Sequence, residues 1–547
     1  MLVRTIKGIL PRELKRRLRR VLNNLQYFSQ SKSVNHRRSL GSLPDDFKPL
    51  RSGNRSVFFE IRSDFSLGSI RDEHGRIMTD ILNANKIHFW QSFSESNRPL
   101  VFNLMIDDLA SVVDLIRLDS IFNFWYADLL DHRGRAKSPG LMATNVRKNS
   151  EVAGIRVYKR VAYSRNLSFR STSMQGIELR FWIERVSDET GTPVIAPAIW
   201  NEIIGPQPLS LVKSQSFEDL IETIDSSNVN SFSEKVDVVY TWVDGSDRDW
   251  LRRKESCRSN ETGESDVSDS VLASRYKDND ELKFSLRSIY QYAPWVNKIY
   301  IVTDRQAPSW LRESEKVVIV DHSDIWPDPT NLPVFNSHAI EACIHRIPEL
   351  SEHFLYFNDD VLLTRPVSPS LFYYASGISK VFWSRAQVDF AEADSSEYAS
   401  TVAAKNARKI LVGSGEKYFS RKFFHTPAAL RRSICFELES KFSDSYLDTR
   451  KSKFRSIEDI AAAGSLYFNY GLSKGYSVPG SIRYDYIDPS TADGRDRMSR
   501  LLAKRNFDCV VINDNSVDLD IEPTQNSHTY ILESLGKLLP IPAPWEY

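Results

Sequence analysis

Cysteine is scarce: the 547-residue chain has four (Cys257, Cys343, Cys435 and Cys509), far apart and with no CxxC pair. That spacing excludes a disulfide scaffold, argues against a structural zinc site and fits a reducing compartment. Net charge is lacking too, because basic and acidic side chains cancel to +1 at pH 7. No global field attracts nucleic acid, and a nucleic-acid partner is not expected. No apolar run approaches the roughly 20 residues of a membrane span, and the N-terminus lacks the apolar core of a signal peptide. A cytoplasmic location is the expectation. With 41% hydrophobic and 11% aromatic residues, the chain can bury a large core and should divide into two or more domains.

The most informative stretch is 331–365, NLPVFNSHAIEACIHRIPELSEHFLYFNDDVLLTR. HFLYF is an apolar run of strand length, broken by Asn358, Asp359 and Asp360 where a buried parallel strand would meet its loop. Ligands of open α/β sheets bind at the carboxyl ends of strands. Mg²⁺ takes one or two carboxylates and completes its shell with phosphate oxygens. Asn and Asp are also common turn residues, so the motif alone fits a strand-terminating turn equally well. Upstream, Ile340, Cys343, Ile344 and Ile347 have helical spacing, and Asn336 and Ser337 are cap candidates, which predicts a helix over 337–350.

The same layout recurs earlier. KVDVVYTWVDGSD is a strand that ends in Asp244 and Gly245, with a tight turn as the simpler reading. Residues 251–273 are charged and Ser-rich, which predicts a mobile loop. Glu281 to Tyr292 has Leu282, Leu286 and Ile289 at helical spacing and is stopped by Pro294, and KIYIVTD is a further strand ending in Asp304. Arg275, Asp278 and Asn279 crowd the helix start, where backbone N–H groups favour an anion. Later, His425 precedes a predicted Pro-initiated helix, and Arg455, Glu458 and Asp459 stand at the predicted start of another. Acidic strand ends, Arg at helix starts and one His suit phosphoryl chemistry, in which positioning and charge neutralisation supply most of the rate.

The first half offers no catalytic constellation. Residues 56–205 suggest a βαββαβ order, that of a ferredoxin-like unit, followed by a run of strands with DETG as a hairpin turn. The expected organisation is a basic helix and linker (1–55), an α+β accessory domain (56–205), a linker (206–234) and an α/β catalytic domain (235–547). The catalytic domain is expected to be Rossmann-like or GT-A-like, with a mostly parallel sheet.

Four stretches carry a family resemblance: DVVYTWVDGSD, SRYKDNDELKFSLRSIYQYAPWVNKIYIVTDRQAPSWL, NLPVFNSHAIEACIHRIPELSEHFLYFNDDVLL, and the segment from His425 through FRSIED. They resemble the four blocks of the Stealth family of sugar-phosphate transferases, which includes bacterial capsular and exopolysaccharide phosphotransferases and the lysosomal-enzyme N-acetylglucosamine-1-phosphotransferase. The terminal LPIPAPWEY is similar to a common ending of bacterial members.

The resemblance implies transfer of hexose-1-phosphate from a nucleotide sugar, with uridine diphosphate as the expected carrier, to a hydroxyl of a glycan or polysaccharide acceptor. Asp359 and Asp360 are implied for Mg²⁺ or Mn²⁺, with Asp360 also in the chemistry. Arg275 and Arg455 are implied for phosphate charge and His425 for the general base. Asp244, Gly245, Asp278, Asn279, Asn336, Asn358 and Asp459 are placed at the substrate. A metal-dependent glycosyltransferase and a non-catalytic sugar-binding protein are the rival readings, and a homo-oligomer is not excluded.

One feature falls outside the resemblance. Leu14, Leu18, Val21, Leu22 and Leu25 form one helical face flanked by Arg12, Lys15, Arg16, Arg17, Arg19 and Arg20. Such a helix either docks on its own protein or binds anionic lipid peripherally at the inner face of the cell membrane, with each basic residue worth about 1 kcal/mol. On the lipid reading, deleting residues 1–40 should abolish co-sedimentation with anionic vesicles at low salt and leave turnover of a soluble acceptor intact. Failure of the full chain to bind such vesicles assigns the helix a docked, structural role.

Overall fold

The computed structural model describes residues 44–52, 55–92, 94–147, 152–187, 191–199, 205–209, 232–259, 276, 280–418, 420–513 and 525–547. The basic stripe at 12–25 and most of 206–234 lie outside them. Among the described residues no helix is long and apolar enough to cross a membrane.

The second half is built on a five-stranded sheet in the order Val317–Asp321, Ile299–Thr303, Val236–Thr241, His353–Asn358 and Ala428–Arg431. The first four strands are parallel and the last is antiparallel. Three of these, Val236–Thr241, Ile299–Thr303 and His353–Asn358, are the apolar runs read as strands from the sequence, and layers cover both faces, which is why they do not alternate with polar residues. Asp237 is the exception, with none of its surface exposed. Its carboxylate accepts from the backbone N–H of Lys298 at 3.0 Å and of Ser351 at 2.7 Å, and so ties together the turns that enter both neighbouring strands.

The helix Glu281–Tyr292 forms as predicted and buries Leu282, Leu286 and Ile289. It also receives the chain's last residues. Arg287 holds Glu546 through two bonds of 2.8 and 2.7 Å, the side chains being 12% and 4% exposed. Trp545 is buried, with its ring 5.9 Å from that of Tyr290. The PWEY ending is therefore a clasp on this helix.

Three local predictions give way to tertiary context. The expected helix over 337–350 is only Ser337–Glu341, followed by a 3₁₀ turn at Ile344–Arg346. The expected loop over 251–273 begins inside a twelve-residue helix, Arg248–Ser259, anchored by buried Trp250 and capped by Asp247, whose carboxylate accepts from the Asp249 N–H at 2.8 Å. The segment after His425 is the edge strand Ala428–Arg431, and the helix starts only at Arg432. Pairing with His353–Asn358 outweighs the helical preference of its alanines.

In the first half the βαββαβ order is present as Arg55–Arg62, Leu67–Ala84, Trp90–Ser92, Leu100–Met105, Leu109–Leu118 and Trp125–Leu130. The pairing is not ferredoxin-like. Arg55–Arg62 belongs to a separate four-stranded sheet, and Leu100–Met105 pairs in parallel with Ile177–Val186. That ten-residue strand is long enough to pair with three others and takes the central place. Ile177–Val186 and Pro193–Pro197 form the expected hairpin. The halves share a core, since Phe65, Leu67, Val161 and Phe169 cluster with Leu282, Leu286 and Leu535.

The buried imidazoles include those of His74 and His322. His74 has no exposed surface and its Nδ1 lies 2.8 Å from the Gln175 carbonyl; His322 is 4% exposed. Burial pushes both down to about 4. A histidine whose folded pKa lies below its unfolded value of about 6.5 takes up its proton first in the unfolded chain. Its contribution is complete above that value and declines as the pH falls toward 4. Each should cost roughly 3 kcal/mol across that window, measurable as the denaturant midpoint against pH. His322→Phe should flatten part of the decline.

Candidate active site

The chain enters the parallel sheet in the middle. From Val236–Thr241 it moves outward through Ile299–Thr303 and Val317–Asp321, then returns to the other side of Val236–Thr241 with His353–Asn358. The reversal puts Thr241 beside Asn358 at the carboxyl ends. This is the switch point at which open α/β sheets bind ligands, and the Asp244 and Asp359–Asp360 turns leave from its two sides.

The Asp244 turn is tightly built. One carboxylate oxygen of Asp244 accepts from the Ser246 N–H at 2.8 Å and hydroxyl at 2.6 Å. Gln306 holds the turn's backbone, accepting from the Asp244 N–H at 3.1 Å and donating to its carbonyl at 3.0 Å. Gly245 donates to the Tyr276 carbonyl at 2.8 Å, and a Cβ there would lie 2.0 Å from that oxygen, so only glycine permits the approach. Arg275, Asp278 and Asn279 lie outside the described residues. Asp304, at the end of the adjoining strand, is paired with Arg253 at 2.9 Å.

The Asp359–Asp360 turn is clamped from behind. Ser285 and Ser288, polar residues on the buried face of Glu281–Tyr292, bond the strand that follows: the Ser285 hydroxyl donates to the Val361 carbonyl at 2.5 Å, and the Leu363 N–H donates to Ser288 at 3.0 Å. From the other side, the Ile512 N–H donates to the Asp360 carbonyl at 3.1 Å and the Asn513 amide to its Oδ2 at 2.9 Å. Asp360 is 7% exposed, and its Oδ1 is buried with no hydrogen-bond partner. A buried, undonated carboxylate oxygen is costly and fits a cation ligand. Among the described residues no three His, Cys, Asp or Glu gather to hold a metal. A hard cation here would take the two adjacent carboxylates and draw the rest of its shell from phosphate and water.

His425 reaches the same place through a residue the sequence reading passed over. The Tyr484 phenol is pushed up by burial above all, with the Asp360 charge adding to the shift and the nearby His425 backbone opposing it. The Tyr484 ring lies 4.7 Å from that of Phe424. Tyr484 therefore stands between Asp360 and the His425 loop, where the imidazole is exposed.

Arg455 is positioned by a buried network. Its Nη2 donates to the Ser337 hydroxyl at 2.7 Å. Asn336, with no exposed surface, donates to Asp459 Oδ2 at 2.8 Å and to the Phe454 carbonyl at 3.2 Å, and caps the Ser337 helix through the His338 N–H at 3.1 Å. Asp459 is 1% exposed and accepts from the Ser456 N–H at 2.9 Å. The Asn406 amide holds the Ile457 and Asp459 carbonyls at 2.7 and 2.8 Å. Asn336 and Asp459, expected at the substrate, thus hold the Arg455 loop from inside the protein. Glu458 is exposed, and the regular helix expected to start at these residues begins later, at Tyr467, after a kinked turn at Ala462–Leu466.

At the far end of the Ser337 helix, Glu341 accepts from the Tyr356 hydroxyl at 3.3 Å, and that hydroxyl is 3.0 Å from Thr241 Oγ1. Burial first, then the charge of Glu341, holds the Tyr356 phenol well above its ordinary value. Glu341, like Tyr484 and Asn513, carried no signal in the sequence reading, because none of them belongs to an acidic pair or a helix start.

Removing the Asp459 carboxylate would leave the Asn336 amide and the Ser456 N–H without their acceptor. Asp459→Ala should lower unfolding free energy by about 2–3 kcal/mol, read from denaturant curves. Asp459→Asn should recover most of the loss, since its carboxamide oxygen can accept both bonds.

Models of Stealth protein conserved regions 1, 2 and 3 match residues 234–262, 275–381 and 424–471, so the two central blocks fall within one region. The exopolysaccharide phosphotransferase CpsY of Mycobacterium leprae is 32% identical over 431 residues, covering 77% of this chain and 77% of that protein. CpsY of Mycobacterium tuberculosis is 30% identical over 475 residues, covering 85% and 86%. An exopolysaccharide phosphotransferase of Streptomyces coelicolor is 36% identical over 431 residues, 77% of this chain but 45% of the relative, so the chain spans about half the length of the Streptomyces protein. Among solved structures, the galactosyltransferase LgtC aligns with a TM-score of 0.29 and 13% identity, over 56% of this chain and 98% of that one. The matched regions contain the Asp244 turn, the Asp359–Asp360 turn, His425 and Arg455, and the mycobacterial proteins align over most of their length: the chain belongs to the Stealth family.

Proposed function

We propose that the chain transfers hexose-1-phosphate from a nucleotide sugar, with uridine diphosphate as the carrier, to a hydroxyl of a growing exopolysaccharide. The acceptor oxygen attacks the sugar-bearing phosphorus and the P–O–P bridge breaks. A phosphodiester forms, and nucleoside monophosphate leaves. The phosphotransferase activity for which the mycobacterial relatives are named supports the reading. The observation that carries it is Asp360, a buried carboxylate at the switch point with an undonated oxygen.

In this reading the Asp244–Gly245 turn and Asn358, with Arg275, Asp278 and Asn279, form the donor pocket. Asp359 and Asp360 would hold Mg²⁺ or Mn²⁺, which supplies charge neutralisation to the diphosphate when bound. Arg455 contributes a fixed cation for phosphate oxygens that gain charge as the bridge breaks. His425 takes the acceptor proton, a task suited to an imidazole at neutral pH. Asn336 and Asp459 are positioning residues that keep Arg455 in place.

The full chain, incubated with nucleotide sugars, a glycan acceptor and Mg²⁺, should release nucleoside monophosphate and lose turnover in excess chelator. His425→Ala should lower kcat by about 10²- to 10⁴-fold and keep donor binding. Release of nucleoside diphosphate would identify sugar transfer and overturn the proposal. Full activity of the His425 variant would move the base elsewhere.

A further inference from the structure

The helix Arg248–Ser259 has five basic residues, and four of them divide into two pairs. Arg252 is paired with Asp249, and Arg253 with Asp304. Lys254 and Arg258 have neither a hydrogen bond nor an ion pair among the described residues. They are four positions apart, on one helical face. Instead of carboxylates they meet aromatic rings. The Lys254 ammonium is 3.7 Å from the Tyr276 centroid and 5.4 Å from that of Trp250. The Arg258 guanidinium is 5.5 Å from the Phe454 centroid. A cation on a ring face is held in place with its N–H donors unused. Burial, and then the charge of Arg258, hold Lys254 below its ordinary pKa, as expected for two neighbouring like charges.

The rings are part of the site's wall. Tyr276 donates its hydroxyl to the Phe335 carbonyl at 3.1 Å, and its own carbonyl receives the Gly245 N–H at 2.8 Å. Phe335 stacks on Phe454 at 5.5 Å, and the Phe335 N–H donates to the Lys453 carbonyl at 2.8 Å. Asn336 and Ser337 follow Phe335, and Arg455 follows Phe454. One aromatic wall thus connects the Asp244–Gly245 turn to the Arg455–Ser337 contact and places Lys254 and Arg258 along it.

We propose that Lys254 and Arg258 extend the charge of Arg455 into a binding wall for a phosphate oxyanion, occupied either by the donor diphosphate or by a phosphodiester of the acceptor chain. Aromatic rings set the positions of the cations without neutralising them, so their charge and donors stay available to the ligand. The choice between the two sources rests on the transferase reading above; the anion site itself does not.

The test uses the full chain, with Lys254→Met, which keeps the stem on Tyr276, and Arg258→Gln. Arg252→Gln, a change at an exposed paired residue of the same helix, is the control. Titration calorimetry with inorganic pyrophosphate at fixed ionic strength should show each site variant binding at least five-fold more weakly, the double variant weaker still, and the control as wild type. Lys254→Arg should restore binding. Melting temperatures within about 2 °C of wild type show that the fold is kept; a variant that falls below is replaced by its charge-preserving partner, Lys254→Arg or Arg258→Lys, titrated against increasing salt. In turnover assays, a rise in KM for the nucleotide sugar assigns the wall to the donor, and a rise for a phosphodiester oligosaccharide assigns it to the acceptor. Pyrophosphate affinity unchanged in the folded double variant overturns the proposal, whether or not any sugar phosphate is transferred.

Discussion

The parallel pairing of Val236–Thr241 with His353–Asn358 is the constraint on which the candidate site depends. A parallel sheet entered at its middle must reverse direction once, and at the reversal two strand ends open toward the same crevice. Thr241 and Asn358 are partners there, so the acidic turns that follow each strand, more than one hundred positions apart in the chain, leave from neighbouring strand ends. Buried Asp237 holds the other end of these strands by accepting backbone N–H bonds from both sides, which makes register errors expensive.

What surrounds the crevice is support. Serines normally weaken a helix interior, yet Ser285 and Ser288 face the core of theirs because the strand after Asp360 needs their hydroxyls. The same helix is gripped by Glu546 through Arg287, so the chain's last residues and its acidic turn stabilise one element from opposite sides. Breaking a poorly exposed pair of this kind leaves an uncompensated charge and costs several kcal/mol. A rigid backing matters for phosphoryl chemistry, where little covalent work is asked of the protein and accurate placement of charge supplies the rate.

The Arg455 side of the crevice is built differently. Its loop has little regular structure and takes its shape from Asn336, which donates to the Asp459 carboxylate and the Phe454 carbonyl, and from Asn406, which holds the Ile457 and Asp459 carbonyls. These bonds fix the loop, although Asp459 Oδ1 is buried with no hydrogen-bond partner. The aromatic wall of Trp250, Tyr276, Phe335 and Phe454 adds apolar packing beside it. Cations resting on that wall keep a geometry that long side chains in water would not hold.

Strands buried on both faces are continuous β-branched or aromatic runs, and so three of the four parallel strands, with Asn358, Asp359 and Asp360 at the end of one, were legible from composition alone. The helix Glu281–Tyr292 was legible for the matching reason: its apolar period is unbroken and Pro294 ends it. Local pattern failed where a distant partner decided. Ala428–Arg431 became a strand because an edge needed pairing, and the βαββαβ order of the first half did not become a ferredoxin-like sheet because Ile177–Val186 took the central position. The sequence by itself determined the chemical types at the crevice, acidic strand ends, one histidine and arginines, since these follow from residue identity and strand periodicity. Only the tertiary structure decided that Asn336 and Asp459 lie inside the protein, that Asn513 bonds Asp360 and Tyr484 packs on Phe424 beside His425, and that Lys254 and Arg258 rest on aromatic rings. Burial and proximity between residues far apart in the chain arise from packing, and no local spacing encodes them.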